Sequence, residues 1–170
     1  MSTKTEEAPI EIVFRPAEQK DFAAIRELIR AVHINPLGLD WRRFIIAADS
    51  SERLVACGQI KPHQDGSMEL ASIAVIPELR RRGIATKIIE RLIESNPGPL
   101  YLTCRASLEK FYMRFGFSKL EAEEMPPYFR RVERIARIAR ALRLVPVELL
   151  VMKRGSIDLI RSCWLSHFEI

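Results

Sequence analysis

Only three of the 170 residues are cysteine: Cys57, Cys104 and Cys163. They are odd in number, widely spaced and lack a Cys-x-x-Cys pair, which argues against both a disulfide framework and a metal centre, so no metal is expected. Cys57 and Cys104 fall in strand-like runs and read as small buried hydrophobes. No histidine lies near Cys104 in sequence to activate it as a nucleophile. No apolar run approaches the roughly 18 residues of a membrane span, so no membrane partner is expected. The opening residues, Met1-Ser-Thr-Lys-Thr-Glu-Glu-Ala-Pro9, hold no apolar segment of the kind that marks a signal peptide and are too acidic for a transit peptide. Residues 1–10 therefore read as a flexible N-terminus, and a cytoplasmic location is expected. Internal repeats and low-complexity tracts are also missing.

What is present fits one compact α/β domain with a real core. Hydrophobic residues make up 48% of the chain and charged residues 29%. The net charge of +5 suits an anionic ligand, and would equally suit nucleic acid. Glu11–Arg15 reads as a strand, and Gln19–Val32 as a helix with Phe22, Ile25, Leu28, Ile29 and Val32 at helical spacing. Phe44–Ala48 and Leu54–Pro62 read as strands, Asp65-Gly66 as a tight hairpin turn, and Met68–Ile76 as the next strand. A helix follows Gly83 and stops at Asn96-Pro-Gly-Pro99. Leu100–Cys104 is a strand, Ser107–Phe115 a helix, Phe117–Leu120 a short strand, and Val147–Met152 the last clear strand.

The segment Ile73-Ala-Val-Ile-Pro-Glu-Leu-Arg80-Arg81-Arg82-Gly83-Ile84-Ala85 carries the most information. It reads as a buried strand, a basic turn with one glycine, and the first turn of a helix. Backbone N–H groups at a helix start have no intrahelical partner and converge on one point, and the helix dipole adds roughly half a positive charge there. Gly83 lets the backbone approach a bulky phosphate, and small Ala85 keeps the helix near the strand. The segment reads as a pyrophosphate cradle; the competing reading is an ordinary exposed basic turn.

Strand, Arg80-x-x-Gly83-x-Ala85 and helix together resemble the coenzyme A-binding motif of the GNAT superfamily of N-acyltransferases. Leu108-Glu-Lys-Phe-Tyr112-Met-Arg-Phe-Gly116-Phe117 is similar to the same family's Tyr-x-x-x-Gly-Phe element. Phe14-Arg-Pro-Ala17 with Asp21 and the helix after it resembles the family's opening strand and first helix. The resemblance covers about residues 11–153. It implies a mixed central sheet flanked by helices on both faces, acetyl-CoA as acyl-donor cosubstrate, and transfer of the acetyl group to an amine.

The resemblance also implies roles for single residues. Tyr112 matches the position of the acid that protonates the departing thiolate; otherwise it is a core aromatic beside Phe111 and Phe115. Glu69, eleven residues before Arg80, matches the base of the histone-acetylating branch. It could instead be a turn-adjacent surface glutamate, with His63 or a water chain as the base. Ile73, Ala74 and Val75 match the strand that meets the pantetheine arm. Arg81, Arg82, Gly83, Ile84, Ala85 and Thr86, following Arg80, match the pyrophosphate site. Two positions depart from the family pattern: Arg105 stands where many members have a pantetheine-contacting asparagine, and Leu100 where the ribosomal-protein-acetylating branch has a glutamate.

Pro127–Leu144 is an unusually basic helical insertion. Arg130, Arg131, Arg134, Arg137, Arg140 and Arg143 occupy one broad side, and Val132, Ile135, Ile138, Ala139 and Leu142 the other. It reads as a helix packed by its apolar face with solvated arginines, or as a basic lip that recruits an acidic acceptor or nucleic acid. Exposed aromatics for base stacking are not interleaved, so nucleic acid is not the expected partner. An amine-bearing small molecule or a protein amine is. The remaining alternative is a non-catalytic module that binds coenzyme A or nucleic acid. Residues 154–170 form an apolar C-terminal tail expected to pack on the domain or on a second subunit, leaving monomer and homodimer open.

Overall fold

The computed structural model describes residues 11–144 and 148–156. The expectations for residues 1–10, for Cys163 and for the tail from residue 157 onward lie outside those described residues. Seven strands follow one another as β1 (Ile12–Pro16), β2 (Phe44–Asp49), β3 (Leu54–Pro62), β4 (Met68–Val75), β5 (Leu100–Arg105), β6 (Ser118–Lys119) and β7 (Leu149–Arg154). Four α-helices join them: α1 (Phe22–Ala31), α2 (Ile84–Glu94), α3 (Glu109–Met113) and α4 (Pro127–Ala141). The sheet order is β1-β2-β3-β4-β5-β7-β6. Its pairing is mixed: β4 runs parallel to β5, whereas β1–β2, β5–β7 and β6–β7 are antiparallel. This is the expected α/β architecture.

The chain forms two compact units, each drawn from two stretches. The first takes residues up to Gly58 and then Ser72–Ile88. Its core gathers Ile25 and Ile29 from α1 with Phe44, Ile46 and Cys57 from β2 and β3, all at most 2% exposed. The spacing of Ile25, Leu28 and Ile29 puts one apolar stripe of α1 inward, as the helical period requires. Ahead of α1, Asp21 accepts two hydrogen bonds from the Arg15 guanidinium, at 2.7 and 3.0 Å, and a third from the Glu18 backbone N–H at 2.7 Å. These bonds hold the Asp21 carboxyl below its ordinary pKa and set the entry to α1.

The second unit takes Gln59–Ala71 and the residues from Ile89 onward. Here β5 and β7 pair along their full length, from Leu100 opposite Arg154 to Arg105 opposite Leu149. Leu120, Met125, Phe129 and Val151 form a cluster, with Tyr101 and Tyr128 packed on its edge.

One expectation fails on α4. Its apolar face was expected to pack, yet Ile135, Ile138 and Leu142 are 61, 53 and 64% exposed, and Phe129 is the one buried residue of the helix. Besides Phe129, the half-buried positions include Val132, Ala136 and Ala139, spaced three, four and three residues apart. That stripe follows small side chains rather than the large ones, so the bulkiest aliphatics fall beside the contact instead of in it. Among the described residues, no helix is long and apolar enough to cross a membrane.

Candidate functional site

The cradle belongs to the first unit. β4 ends at Val75 and a single 3-10 turn, Pro77–Leu79, carries the chain to Arg80. The Arg80 Nε donates to the Val75 carbonyl at 3.3 Å, so this side chain fastens the turn to the strand end. Arg81 and Gly83 both sit in the left-handed region, at φ 63° and 78°. Two such residues flanking Arg82 reverse the backbone sharply, and Gly83 adopts this conformation without the steric cost of a Cβ. A Cβ built at Gly83 would meet nothing within 4 Å, which leaves open space in front of the loop.

Buried Ile84 anchors the first turn of α2, and the Lys87 N–H donates to the Gly83 carbonyl at 3.1 Å. The N–H groups of Ile84, Ala85 and Thr86 therefore lie at positions with no intrahelical acceptor. A cavity of about 230 Å³ adjoins this turn, lined by Ile12, Phe14, Leu79, Arg82, Ile84 and Lys87. Its two cations and the helix start make it suited to an anion. Upstream on β4, Ser72 has φ 58° in mid-strand. A left-handed residue there departs from extended backbone just before Ile73, Ala74 and Val75.

In the second unit, Glu69 is not a free surface glutamate. Its Oε2 lies 2.9 Å from His63 Nε2, and the two side chains are 12% and 6% exposed. The Tyr128 ring stacks on the imidazole at 3.5 Å and 18°, and Phe129 meets it edge-on at 5.6 Å. Phe129 in turn stacks at 5.2 Å on Tyr101, the residue opposite Glu69 in the β4–β5 ladder. Asp65, in the hairpin turn, secures this arrangement. Its Oδ1 accepts from the Ser67 hydroxyl and N–H, and its Oδ2 accepts from the Tyr128 N–H at 2.8 Å. The Ser67 hydroxyl bond above all holds the Asp65 carboxyl below its ordinary pKa. Pro126 and Pro127 open α4 and carry no N–H, so Tyr128 supplies the first N–H of the helix, and Asp65 takes it.

Tyr112 lies in α3, nine-tenths buried, with Phe111 and Phe117 edge-on at 5.2 and 6.1 Å. Burial, with a smaller effect of Cys104, pushes its phenol well above its ordinary pKa. The segment after Tyr112 turns on Gly116, at φ 81°, and Arg154 Nε clasps it by donating to the Phe115 carbonyl at 2.9 Å. Burial also pushes the Cys57 thiol up to about 12 and that of Cys104 to about 11. Both remain thiols at neutral pH, which deprives them of nucleophilic character. Leu100 is buried and Arg105 exposed. Among the described residues, no group of three or more His, Cys, Asp or Glu could hold a metal ion.

The structure thus joins Glu69 and His63, two residues that the sequence offers only as alternatives, and adds three it does not single out: Asp65, Tyr128 and Ser72. Asp65 was legible as a turn residue. The left-handed Ser72 and the Tyr128 stack carry no local sequence signal.

A seven-stranded mixed sheet whose fourth strand leads through a left-handed basic turn into a helix defines an acyltransferase-type fold. Residues 40–119 match the family model described as the acetyltransferase (GNAT) domain. Among solved structures it is similar to N-acetylglutamate synthase from Neisseria gonorrhoeae complexed with coenzyme A and N-acetyl-glutamate, with TM-score 0.65 and 18% identity over 85% of this chain. The chain spans only 35% of that protein's length. It is also similar to a GNAT-family acetyltransferase from Staphylococcus aureus, with TM-score 0.62 and 15% identity over 85% of this chain and 98% of the other. A third similar structure is the ribosomal-protein-S18-alanine N-acetyltransferase of Escherichia coli, with TM-score 0.60 and 17% identity over 85% and 93% of the two chains. No curated protein matches the sequence.

Proposed function

We propose that this protein is an acetyl-CoA-dependent N-acetyltransferase that moves an acetyl group to an amine by direct attack in a ternary complex. The observation that carries the reading is the cradle: two left-handed residues, an open glycine and the N-terminus of an eleven-residue helix in succession. Acetyl-CoA supplies an acyl group already activated as a thioester. The backbone N–H groups of Arg81–Thr86, with the Arg81 and Arg82 side chains, hold its pyrophosphate, while Arg80 braces the turn. The peptide groups of Ile73, Ala74 and Val75, just past the left-handed Ser72, receive the pantetheine arm as an added strand.

A primary amine with a pKa near 10 is mostly protonated at neutral pH and must lose a proton before or during attack. Glu69 and His63, hydrogen-bonded to each other, accept it. The departing thiol has a pKa near 8.5, like cysteine, below that of the buried Tyr112 phenol, so the phenol stabilises the developing thiolate by donating a hydrogen bond to it. Neither cysteine takes part, and no acyl-enzyme forms. The named activities of the Neisseria and Escherichia structures, both N-acetyl transfers to amino-acid or protein amines, support this class.

The alternative, a non-catalytic module using the basic helix on nucleic acid, draws less support. Arg130 donates to the Glu123 and Met125 carbonyls, and Arg137 and Arg140 pair with Glu133 and Glu148. Three of the helix arginines thus have partners within the protein. Calorimetric titration of acetyl-CoA into the native protein and into Gly83→Leu tests the proposal. Binding in the native protein that is lost in the variant supports it; no binding in the native protein overturns it.

A further inference from the structure

The second unit holds a cavity of about 450 Å³ at the starts of β4 and β5. Its floor is the β3–β4 hairpin, its wall the segment from Ser95 to Pro99 after α2, and its roof Pro126 ahead of α4. Apolar surface comes from Met68, Pro97, Pro99, Leu100, Tyr101 and Pro126. Among the residues that line it, Asp65 is the one charged side chain and none is basic, in a protein whose net charge is +5.

The remaining polar side chains of the wall are already engaged. Ser95 Oγ donates to the Arg91 carbonyl at 2.9 Å, and Asn96 Nδ2 to the Leu92 carbonyl at 2.8 Å. Both bonds cap the C-terminal end of α2, whose dipole adds negative potential there. The cavity therefore offers apolar walls, one carboxylate and a negative helix end. An uncharged body with a cationic or neutral tip fits it, and an anion does not.

Three lining residues neighbour the His63–Glu69 pair in the chain, in the ladder or through Tyr128. Met68 precedes Glu69 in the chain. Tyr101 is the ladder partner of Glu69, on a strand about 5 Å away. Asp65 holds the N–H of Tyr128, whose ring covers His63. A group whose amine meets Glu69 and His63 can place its neighbouring substituent in this cavity.

We propose that the cavity seats the acceptor, and that the acceptor is a hydrophobic primary amine, with an aliphatic or aromatic body in the cavity and its amine at the His63–Glu69 pair. The assignment rests on the N-acetyltransferase reading. It also separates this protein from its similar structure in Neisseria. The N-acetyl-glutamate bound there carries carboxylates, and such an acceptor would meet Asp65 here with no cation in the cavity wall.

Gly98 provides the test. It lines the cavity, a Cβ there would meet nothing within 4 Å, and its backbone lies outside the left-handed region. Gly98→Phe should fill the cavity without straining the fold. Calorimetry is run with 2-phenylethylamine, a phenylalanine-initiated tripeptide amide and glutamate, on the native protein and on the variant. Both apolar amines should bind at least tenfold more tightly than glutamate, and Gly98→Phe should weaken them at least tenfold while leaving thermal stability and acetyl-CoA affinity unchanged. Tighter binding of the tripeptide amide would mark a peptide source, and tighter binding of phenylethylamine a free amine. Asp65→Asn, which removes charge without adding bulk, should narrow the discrimination against glutamate.

Equal or tighter binding of glutamate, no binding of either apolar amine, or indifference to Gly98→Phe would overturn the assignment. Amine binding that is sensitive to Gly98→Phe in a protein that fails to bind acetyl-CoA would instead sink the acetyltransferase reading and leave the cavity assignment standing.

Discussion

His63 Nε2 lies 2.9 Å from Glu69 Oε2, and the imidazole is clamped against the Tyr128 ring 3.5 Å above it. His63 is the first of the five residues between β3 and β4, Glu69 is the second residue of β4, and the two share one hydrogen bond, so they should act as a unit. Glu69→Gln and His63→Ala should each lower kcat by about 100-fold, the scale of a general base, with the KM for acetyl-CoA unchanged. The double variant should lose little more than either single one, because removing one partner already disables the other. Independent, multiplicative losses would contradict a shared role. Steady-state kinetics on the three variants decides.

In the proposed mechanism Tyr128 acts through His63, on which its ring stacks, rather than on the substrate. Tyr128→Phe keeps the ring and should retain nearly native kcat, whereas Tyr128→Ala should lower kcat several-fold. The distinguishing readout is that rescue by phenylalanine, together with an unchanged KM for acetyl-CoA. A loss of thermal stability without a change in kcat would assign the ring to packing alone.

Tyr112→Phe removes the phenolic proton and should cut kcat by about 10- to 100-fold while acetyl-CoA still binds. Because burial raises the phenol well above its ordinary pKa near 10, the group stays protonated throughout the usual assay range. Any alkaline decline below pH 9 should therefore persist unchanged in Tyr112→Phe. A limb that vanishes in this variant would show that the phenol titrates, against its burial.

Asp21 and Asp65 both have carboxyls held below their ordinary pKa, the first chiefly by Arg15 and the second chiefly by Ser67. A carboxyl depressed in the folded state contributes stability above its unfolded value, near 4, and that contribution disappears as pH falls through the folded value. Asp21→Asn and Asp65→Asn should therefore melt below the native protein at pH 7, with the gap closing as pH falls below about 4. For Asp65 the gap should be the smaller of the two, because asparagine can still accept from the Tyr128 N–H. Melting curves across pH would contradict this if the gap were constant.

Much of the fold was legible because its signals are local. Leu54–Pro62 is bounded by turn residues on both sides, and its limits agree with β3. The helix after Gly83 starts at Ile84 because glycine and an apolar period coincide there. Signals that depend on distant partners were not legible. Asp65 and Tyr128 are 63 positions apart, and neither Asp-Gly nor Pro-Pro-Tyr announces the other. Ser72 takes a left-handed conformation that serine does not advertise, and Ile135 and Ile138 give a clear apolar period that packing does not follow. Glu69 and His63 were visible singly; their contact depends on hairpin register, which pattern alone leaves open.

The bond from Asp65 to α4 reaches a peptide N–H rather than a side chain. The two ends of this tether are therefore unequal in what they permit. Any residue except proline at position 128 presents the same hydrogen, so the helix can exchange the ring that covers the imidazole for another group without coming loose. Position 65 has no such latitude, since few side chains other than aspartate and asparagine can reach that hydrogen from the turn. Variation in what covers the His63–Glu69 pair can thus accumulate on the helix while the hairpin stays constant.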